Sequence, residues 1–79
     1  MDQLLRMKVF VAVAETQGFS AAARRLGMSA PAVTRAVASL EDVLGVKLLQ
    51  RTTRLVRTTE AGLRYLDDAR KILEDVQAA

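Results

Sequence analysis

Residues 19–41 contain two helix-forming stretches joined by a very short turn, and this spacing constrains the fold more than any other feature of the chain. Gly27 stands just past the first stretch, where the backbone often needs a positive φ. Ser29 is a good N-cap for the second stretch, and Pro31 fits its first turn because no amide hydrogen bond is required there. The segment therefore predicts a helix-turn-helix, in which the second helix can lie in a DNA groove.

The helix predicted after Ser29 has one apolar face and one face of small, hydroxyl and basic residues. At about 100° per residue, a core face is expected from Val33, Ala36, Val37, Leu40 and Leu44. The opposite face contains Pro31, Arg35, Ala38, Ser39 and Asp42, with Thr34 at its edge. Because the acids Glu41 and Asp42 stand in the C-terminal half, the N-terminal half is the end suited to a polyanion. The alternative is an ordinary amphipathic core helix with a solvated face.

Positive charge is concentrated in the middle of the chain. The whole sequence has a formal net charge of +3, but residues 20–57 contain seven basic and two acidic side chains, a net charge of +5. Residues 58–79 contain three basic and five acidic side chains, a net charge of −2. Such a distribution suits a nucleic-acid surface, although a solvated basic surface has the same composition.

The segments on either side of the helix-turn-helix predict a helix before it and a β-hairpin after it. Helical spacing of apolar residues indicates a first helix over 3–16, and Ser20 is the expected N-cap of a short second helix that ends at Leu26. Residues 46–51 and 55–58 are predicted to be strands, with 52–54 as the hairpin tip. Arg54 at such a tip can reach a minor groove, or it can be an edge charge that discourages aggregation.

The last helix, expected from the cap Thr59 to the C-terminus, has a coiled-coil-like apolar seam. Gly62, Leu66, Ala69, Leu73 and Val76 are spaced 4, 3, 4 and 3 residues apart, with Tyr65, Ile72 and Ala79 alongside. Two adjoining apolar stripes predict two neighbours, the domain itself and a second copy. The residues assigned to dimerisation are Leu63, Leu66, Ala69, Leu73 and Val76. The alternative is that the helix packs only on its own domain.

The composition argues against catalysis and against a membrane. The 79 residues contain no cysteine and no histidine, which excludes a thiolate metal site and a nucleophile–histidine pair. The four glycines are scattered rather than gathered in a phosphate loop. No apolar run approaches the roughly 20 residues needed to cross a bilayer, and no signal peptide is visible. The expectation is a cytoplasmic protein of one small domain, not an enzyme, with no cofactor or metal.

The order and spacing of several short motifs resemble the DNA-binding domain of LysR-type transcriptional regulators. These motifs are 10–15 (FVAVAE), 18–26 (GFSAAARRL), 29–35 (SAPAVTR), 40–48 (LEDVLGVKL), 51–54 (RTTR) and 59–62 (TEAG). The resemblance implies a mainly α fold, with a winged helix-turn-helix over residues 1–58 and a linker and dimerisation helix over 59–79. It also implies a bacterial regulator that binds an interrupted palindromic operator as a homodimer. The resemblance further implies a C-terminal domain that binds a small-molecule effector, and this chain is expected to lack that domain. Separately, the sequence ends inside a helix-forming stretch, as a fragment is expected to do.

The resemblance also implies roles for particular residues. Major-groove reading falls to Ala30, Pro31, Thr34 and Arg35, and backbone contacts fall to Ser20, Ser29, Arg51 and Thr53, with Arg54 near the minor groove. Arg35 has the geometry to pair with guanine. The family often has Gln where this chain has Ala30, which leaves at most a methyl contact with thymine and puts the target sequence in doubt. The other departures are Thr34 for Ser, Leu49 for Phe and Thr58 for Leu.

One functional alternative from another class remains. The small residues of the third helix (Ala30, Ala32, Ala36 and Ala38) would also suit close packing against a protein, which would make the chain a winged-helix interaction module. Arg35 and the wing arginines favour phosphate instead.

Overall fold

The computed structural model describes residues 2–52 and 55–79, in which four helices surround one core and a two-stranded sheet lies beside them. The helices are α1 (Gln3–Thr16), α2 (Phe19–Leu26), α3 (Ala30–Leu44) and α4 (Glu60–Ala78), and the strands are β1 (Leu49–Arg51) and β2 (Val56–Thr58). The predicted fold class is confirmed. The predicted hairpin tip includes Thr53 and Arg54, which lie outside the described residues.

The first helix is the centre of the domain, because α2, α3 and α4 all pack against it. Asp2 caps α1 by accepting a hydrogen bond from the Leu5 amide at 2.8 Å. Phe10 and Val13 are fully buried, as their helical spacing predicts. Val9 and Ala12 are buried as well, which a single apolar stripe does not explain. Three neighbouring helices account for this wider buried surface.

The second helix begins one residue earlier than its sequence predicts. Its N-cap is Gly18, with extended backbone, and no side chain caps the first turn. The prediction that Ser20 is the cap is therefore wrong, because Ser20 lies inside that turn. The preceding turn leaves Gln17 at φ 59°, and the Gln17 amide donates to the Val13 carbonyl at 2.8 Å. This closed end of α1 sets where α2 starts.

The third helix begins as predicted and has a shorter core face than predicted. The Ser29 hydroxyl accepts a hydrogen bond from the Ala32 amide at 3.2 Å, which confirms it as the N-cap. Val33, Ala36, Val37 and Leu40 are buried, whereas Leu44 is 38% exposed. The assignment of Leu44 to the core is wrong because α3 ends at that residue, beyond the helices that cover its middle. Gly45 follows at φ 69° as the C-cap.

The strands are three residues each, shorter than the predicted stretches. They pair antiparallel, with Leu49 opposite Thr58, Gln50 opposite Arg57 and Arg51 opposite Val56. The segment before β1 makes other bonds, since the Val46 amide donates to the Glu41 carbonyl at 3.3 Å. The residues after Gly45 thus complete the end of α3 before the ladder starts.

The fourth helix begins at the predicted cap and is part of the domain. The Thr59 hydroxyl accepts from the Gly62 amide at 2.9 Å and donates to the Lys47 carbonyl at 2.7 Å. Leu66 and Ala69 are buried against the other elements. The Tyr65 ring meets the Phe10 ring edge-on, with centroids 5.5 Å apart. Within the described part of the chain, no helix is both long and apolar enough to span a bilayer.

Candidate nucleic-acid interface

The N-terminal half of α3 presents an exposed surface formed by the predicted reading residues. Pro31 and Arg35 are exposed, and Ala30 and Thr34 are half-buried. The Thr34 hydroxyl donates to the Ala30 carbonyl at 3.1 Å, so its hydrogen is already used within the helix. The projecting basic group of this surface is therefore Arg35, while Ala30 and Pro31 offer only apolar contact and Thr34 keeps an acceptor oxygen.

The first turn of α2 and the end of β1 meet beside this surface. Arg51 is exposed, and its guanidinium carbon lies 4.3 Å from the centre of the Phe19 ring. Ser20 is the next residue after Phe19 and is also exposed. The fold therefore brings two predicted backbone-contact residues, Ser20 and Arg51, to one region, although they are 31 positions apart in the sequence.

A groove separates α3 from the first strand. Its volume is about 470 Å³, and its lining residues are Phe19, Thr34, Val37, Ala38, Glu41, Lys47, Leu49, Gln50, Arg51 and Thr59. The side chains of Lys47 and Arg51 lie at exposed positions along it. The groove therefore connects the helix surface with the sheet.

The carboxylate of Glu41, which lines this groove, already has hydrogen-bond and ion-pair partners within the protein. Glu41 accepts hydrogen bonds from the Leu48 amide at 2.8 Å and the Leu49 amide at 3.3 Å. Lys47 Nζ lies 3.8 Å from the same carboxylate. Glu41 thus ties the entry of β1 to the end of α3, and these donors offset the charge that would otherwise repel a phosphate.

A second carboxylate is held between two arginines on other elements. Glu15 in α1 accepts from Arg25 Nη1 in α2 at 2.7 Å and from Arg70 Nη2 in α4 at 3.0 Å. The hydrogen bond from Arg25 is the largest cause that lowers the pKa of Glu15, desolvation opposes it, and Arg70 lowers it further. Arg25 and Arg70 are consequently paired with an acid, unlike Arg35 and Arg51, which have no ion pair among the described residues.

The dimerisation residues predicted on α4 fall into two groups. Leu66 and Ala69 are buried in their own domain, and Leu73 is half-buried. Leu63 and Val76 are 58% and 49% exposed, and Ile72 beside them in the sequence pattern is 40% exposed. The surface open to a second copy is therefore narrower than the full seam, and its role stays a prediction.

Two residues that organise the interface, Glu41 and Phe19, are not evident from the sequence pattern. The sequence predicts Glu41 only as one of two acids in the C-terminal half of α3, and a pattern does not reveal that its carboxylate reaches amides seven and eight residues later. Phe19 had a local signal, since it is an aromatic residue at a helix start, but its partner Arg51 is set by the sheet. Thr53 and Arg54, predicted at the same wing, lie outside the described residues.

A helix-turn-helix with an exposed, capped second helix and an adjacent two-stranded sheet defines the class of winged helix-turn-helix domains. The family described as "Bacterial regulatory helix-turn-helix protein, lysR family" matches residues 4–63. The chain belongs to this lysR family.

Relatives of known name agree with this membership. The chain is 48% identical over 77 residues to the HTH-type transcriptional activator AaeR of Escherichia coli K12, covering 98% of the chain and 25% of AaeR. It is 48% identical over 75 residues to the HTH-type transcriptional regulator TfdT of Cupriavidus pinatubonensis, covering 95% of the chain and 33% of TfdT. The chain thus spans between a quarter and a third of these two relatives.

A crystal structure of a CbnR DBD–DNA complex has the same fold. It superposes with a TM-score of 0.93 at 44% identity, over 98% of this chain and 88% of that one.

Proposed function

We propose that this chain is the DNA-binding part of a bacterial transcription regulator and reads duplex DNA with the N-terminal half of α3 in the major groove. The observation that carries the proposal is which charged side chains of this surface are paired and which are not. Arg35 and Arg51 are exposed and have no ion pair among the described residues, while Glu41 is bound by two amides and a lysine. Unpaired cations beside a capped helix N-terminus attract phosphate and base edges.

The proposal gives the interface residues two different tasks. Arg35 pairs with a guanine edge, while Ala30, Pro31 and Thr34 make close contacts to neighbouring bases. Ser20, Ser29 and Arg51 hold the phosphate backbone, together with Thr53, and Arg54 lies near the minor groove. The 44%-identical structural neighbour is a CbnR DBD–DNA complex, which supports DNA as the partner, and the role of each residue is part of the proposal.

The proposed assembly is a homodimer on an interrupted palindrome. Residues 1–58 form the reading unit, and residues 59–79 form the linker helix, whose exposed side chains Leu63 and Val76 meet a second copy. Two copies related by a dyad place two α3 helices on two half-sites. In the full-length protein a further domain would bind a small-molecule effector. The chain itself acts by binding and not by catalysis, in the cytoplasm where bacterial DNA lies.

Selection of bound duplexes from a random pool tests sequence-specific binding directly. The expected result is an enriched, dyad-related motif. A fluorescence anisotropy titration then compares that motif with a scrambled duplex at moderate salt. Equal affinity for both duplexes would contradict sequence reading, and binding that does not depend on salt would contradict the phosphate contacts.

A further inference from the structure

An aromatic ring holds the guanidinium of Arg51 without neutralising it. The guanidinium carbon of Arg51 stands 4.3 Å from the centre of the Phe19 ring, which is the distance of a cation–π contact. None of the described carboxylates forms an ion pair with Arg51. A carboxylate partner would fix the side chain and cancel its charge, as Glu15 does for Arg25 at 2.7 Å. The Phe19 ring fixes the plane of the Arg51 guanidinium and leaves its positive charge uncancelled.

The two residues come from elements that are both rigid. Phe19 is the first residue of α2 and packs against the buried core. Arg51 is the last residue of β1, paired with Val56 across the sheet. Because both backbones are fixed by regular structure, the ring and the guanidinium meet before any ligand arrives. An arginine that is already ordered loses less side-chain entropy when it binds.

We propose that Phe19 is a positioning residue for DNA binding, which holds the Arg51 guanidinium ready to take a backbone phosphate. This inference rests on the proposed function and adds a residue that makes no base contact itself. It explains why the helix starts with a large aromatic side chain beside the exposed Ser20. A phosphate contact depends on charge and position, so the effect of Phe19 should be independent of sequence.

The test is a double-mutant cycle measured by anisotropy on a labelled random-sequence duplex of roughly 30 base pairs, about three helical turns. Phe19→Leu should weaken binding by about threefold to tenfold, the cost of ordering one arginine side chain. In the Arg51→Ala background, Phe19→Leu should change affinity by less than about 1.5-fold, because the residue it positions is gone. Phe19→Tyr, which keeps a ring, should restore most of the affinity.

Equal weakening by Phe19→Leu in both backgrounds would overturn the inference, because Phe19 would then act through packing alone. Phe10→Leu is the matched control, since it replaces a fully buried aromatic residue of α1. It should lower thermal stability while changing affinity by less than about twofold, as packing distant from the interface predicts. A wild-type chain that binds no duplex would instead contradict the proposed function.

Arg51→Lys keeps the measurement informative if Phe19→Leu fails to fold, because position 51 is exposed. Lysine keeps the charge and loses the planar group that stacks on a ring. The expected result is binding about threefold to tenfold weaker, with the salt dependence of affinity unchanged because the number of charges is the same. Wild-type affinity in Arg51→Lys would overturn the inference.

Discussion

Gly62 in the first turn of α4 lies against the backbone carbonyl oxygen of Leu48, so closely that a Cβ atom added there would overlap that oxygen. The same carbonyl accepts a hydrogen bond from the Thr59 amide at 2.9 Å. The start of α4 is therefore seated on the segment that leads into β1. A glycine inside a helix normally lowers the stability of that helix. At position 62 glycine is nevertheless required, because the backbones of α4 and of Leu48 approach too closely for a side chain.

Gly62→Ala is expected to destabilise the domain by about 1–3 kcal/mol, because a backbone oxygen cannot rotate away as a side chain would. Urea denaturation measures the change. Gly18→Ala is the matched control, since a Cβ at Gly18 meets no atom within 4 Å and its φ of −165° is open to any residue. The control should cost less than about 1 kcal/mol as a cap change. Equal losses in both variants would contradict the proposed backbone contact.

Glu41→Ala is expected to lower the free energy of unfolding by about 1–3 kcal/mol, because it leaves the amides of Leu48 and Leu49 without their carboxylate partner. Thermal denaturation followed by circular dichroism checks this. The neighbouring Asp42→Ala removes an exposed acid of similar size and should stay within about 0.5 kcal/mol of wild type. A similar melting temperature for Glu41→Ala and Asp42→Ala would show that the wing entry does not depend on this carboxylate.

Acidification is expected to remove the stability contributed by Glu15. Its pKa in the folded chain is held below the ordinary value of 4.5, chiefly by the hydrogen bond from Arg25. A lowered folded-state pKa means that the contribution is complete above the unfolded value and is lost as pH falls through the folded value. Because all three side chains are at least a third exposed, the contribution is at most about 1 kcal/mol.

Glu15→Gln should flatten that part of the stability profile below pH 4.5. Denaturant midpoints measured across the acidic range test it. Asp68→Asn is the control, since Asp68 is exposed and has no ion pair with any described residue. If both variants kept the wild-type acid dependence, the arginine pair would not be responsible for it.

Arg35→Ala and Arg51→Ala are expected to weaken DNA binding in different ways. The loss of Arg35 should cost about 1–3 kcal/mol of discrimination at one base position. The loss of Arg51 should weaken all duplexes alike and reduce the salt slope by about one. Anisotropy titrations against single-base variants of a selected site, at several salt concentrations, separate the two. Identical behaviour of the two variants would refute the division between base reading and backbone contact.

Val76→Glu is expected to weaken self-association, since Val76 is 49% exposed on α4 and an acid there must be desolvated in an interface. Sedimentation at micromolar concentration, with and without duplex, measures the assembly. Ala69 is fully buried and therefore unsuited to test the interface. Asp68→Asn is the control, because it changes another exposed residue of α4. Unchanged association of Val76→Glu would place the dimer contact elsewhere.

The helices were predictable because their signals are local. Ser29, Thr59 and Gly45 stand at the ends of their helices as their cap chemistry predicts. The cap of α2 was not predictable. Ser20 is a residue type that caps helices, but it lies within the first turn, and the N-cap is Gly18. The start of that helix depends on how α1 closes at Gln17, which local propensity does not contain.

The reading surface was predictable in part for the same reason. Periodicity alone places Arg35 opposite Val33 and Val37 on α3. Periodicity does not place the Phe19 ring against the Arg51 guanidinium, or the Glu41 carboxylate against the amides of Leu48 and Leu49, because each pair joins different elements.

The sequence by itself determined that four helices form, that two of them make a helix-turn-helix, and which face of α3 points away from the core, because caps and periodicity act over a few residues. The start of α2 is the exception. Only the tertiary structure decided which charged side chains have partners within the protein and which remain available to a ligand. It pairs Arg25 and Arg70 with Glu15, occupies Glu41 with amides, and leaves Arg51 on an aromatic ring. Electrostatic pairing depends on distances between side chains that are far apart in the chain, and folding alone sets those distances.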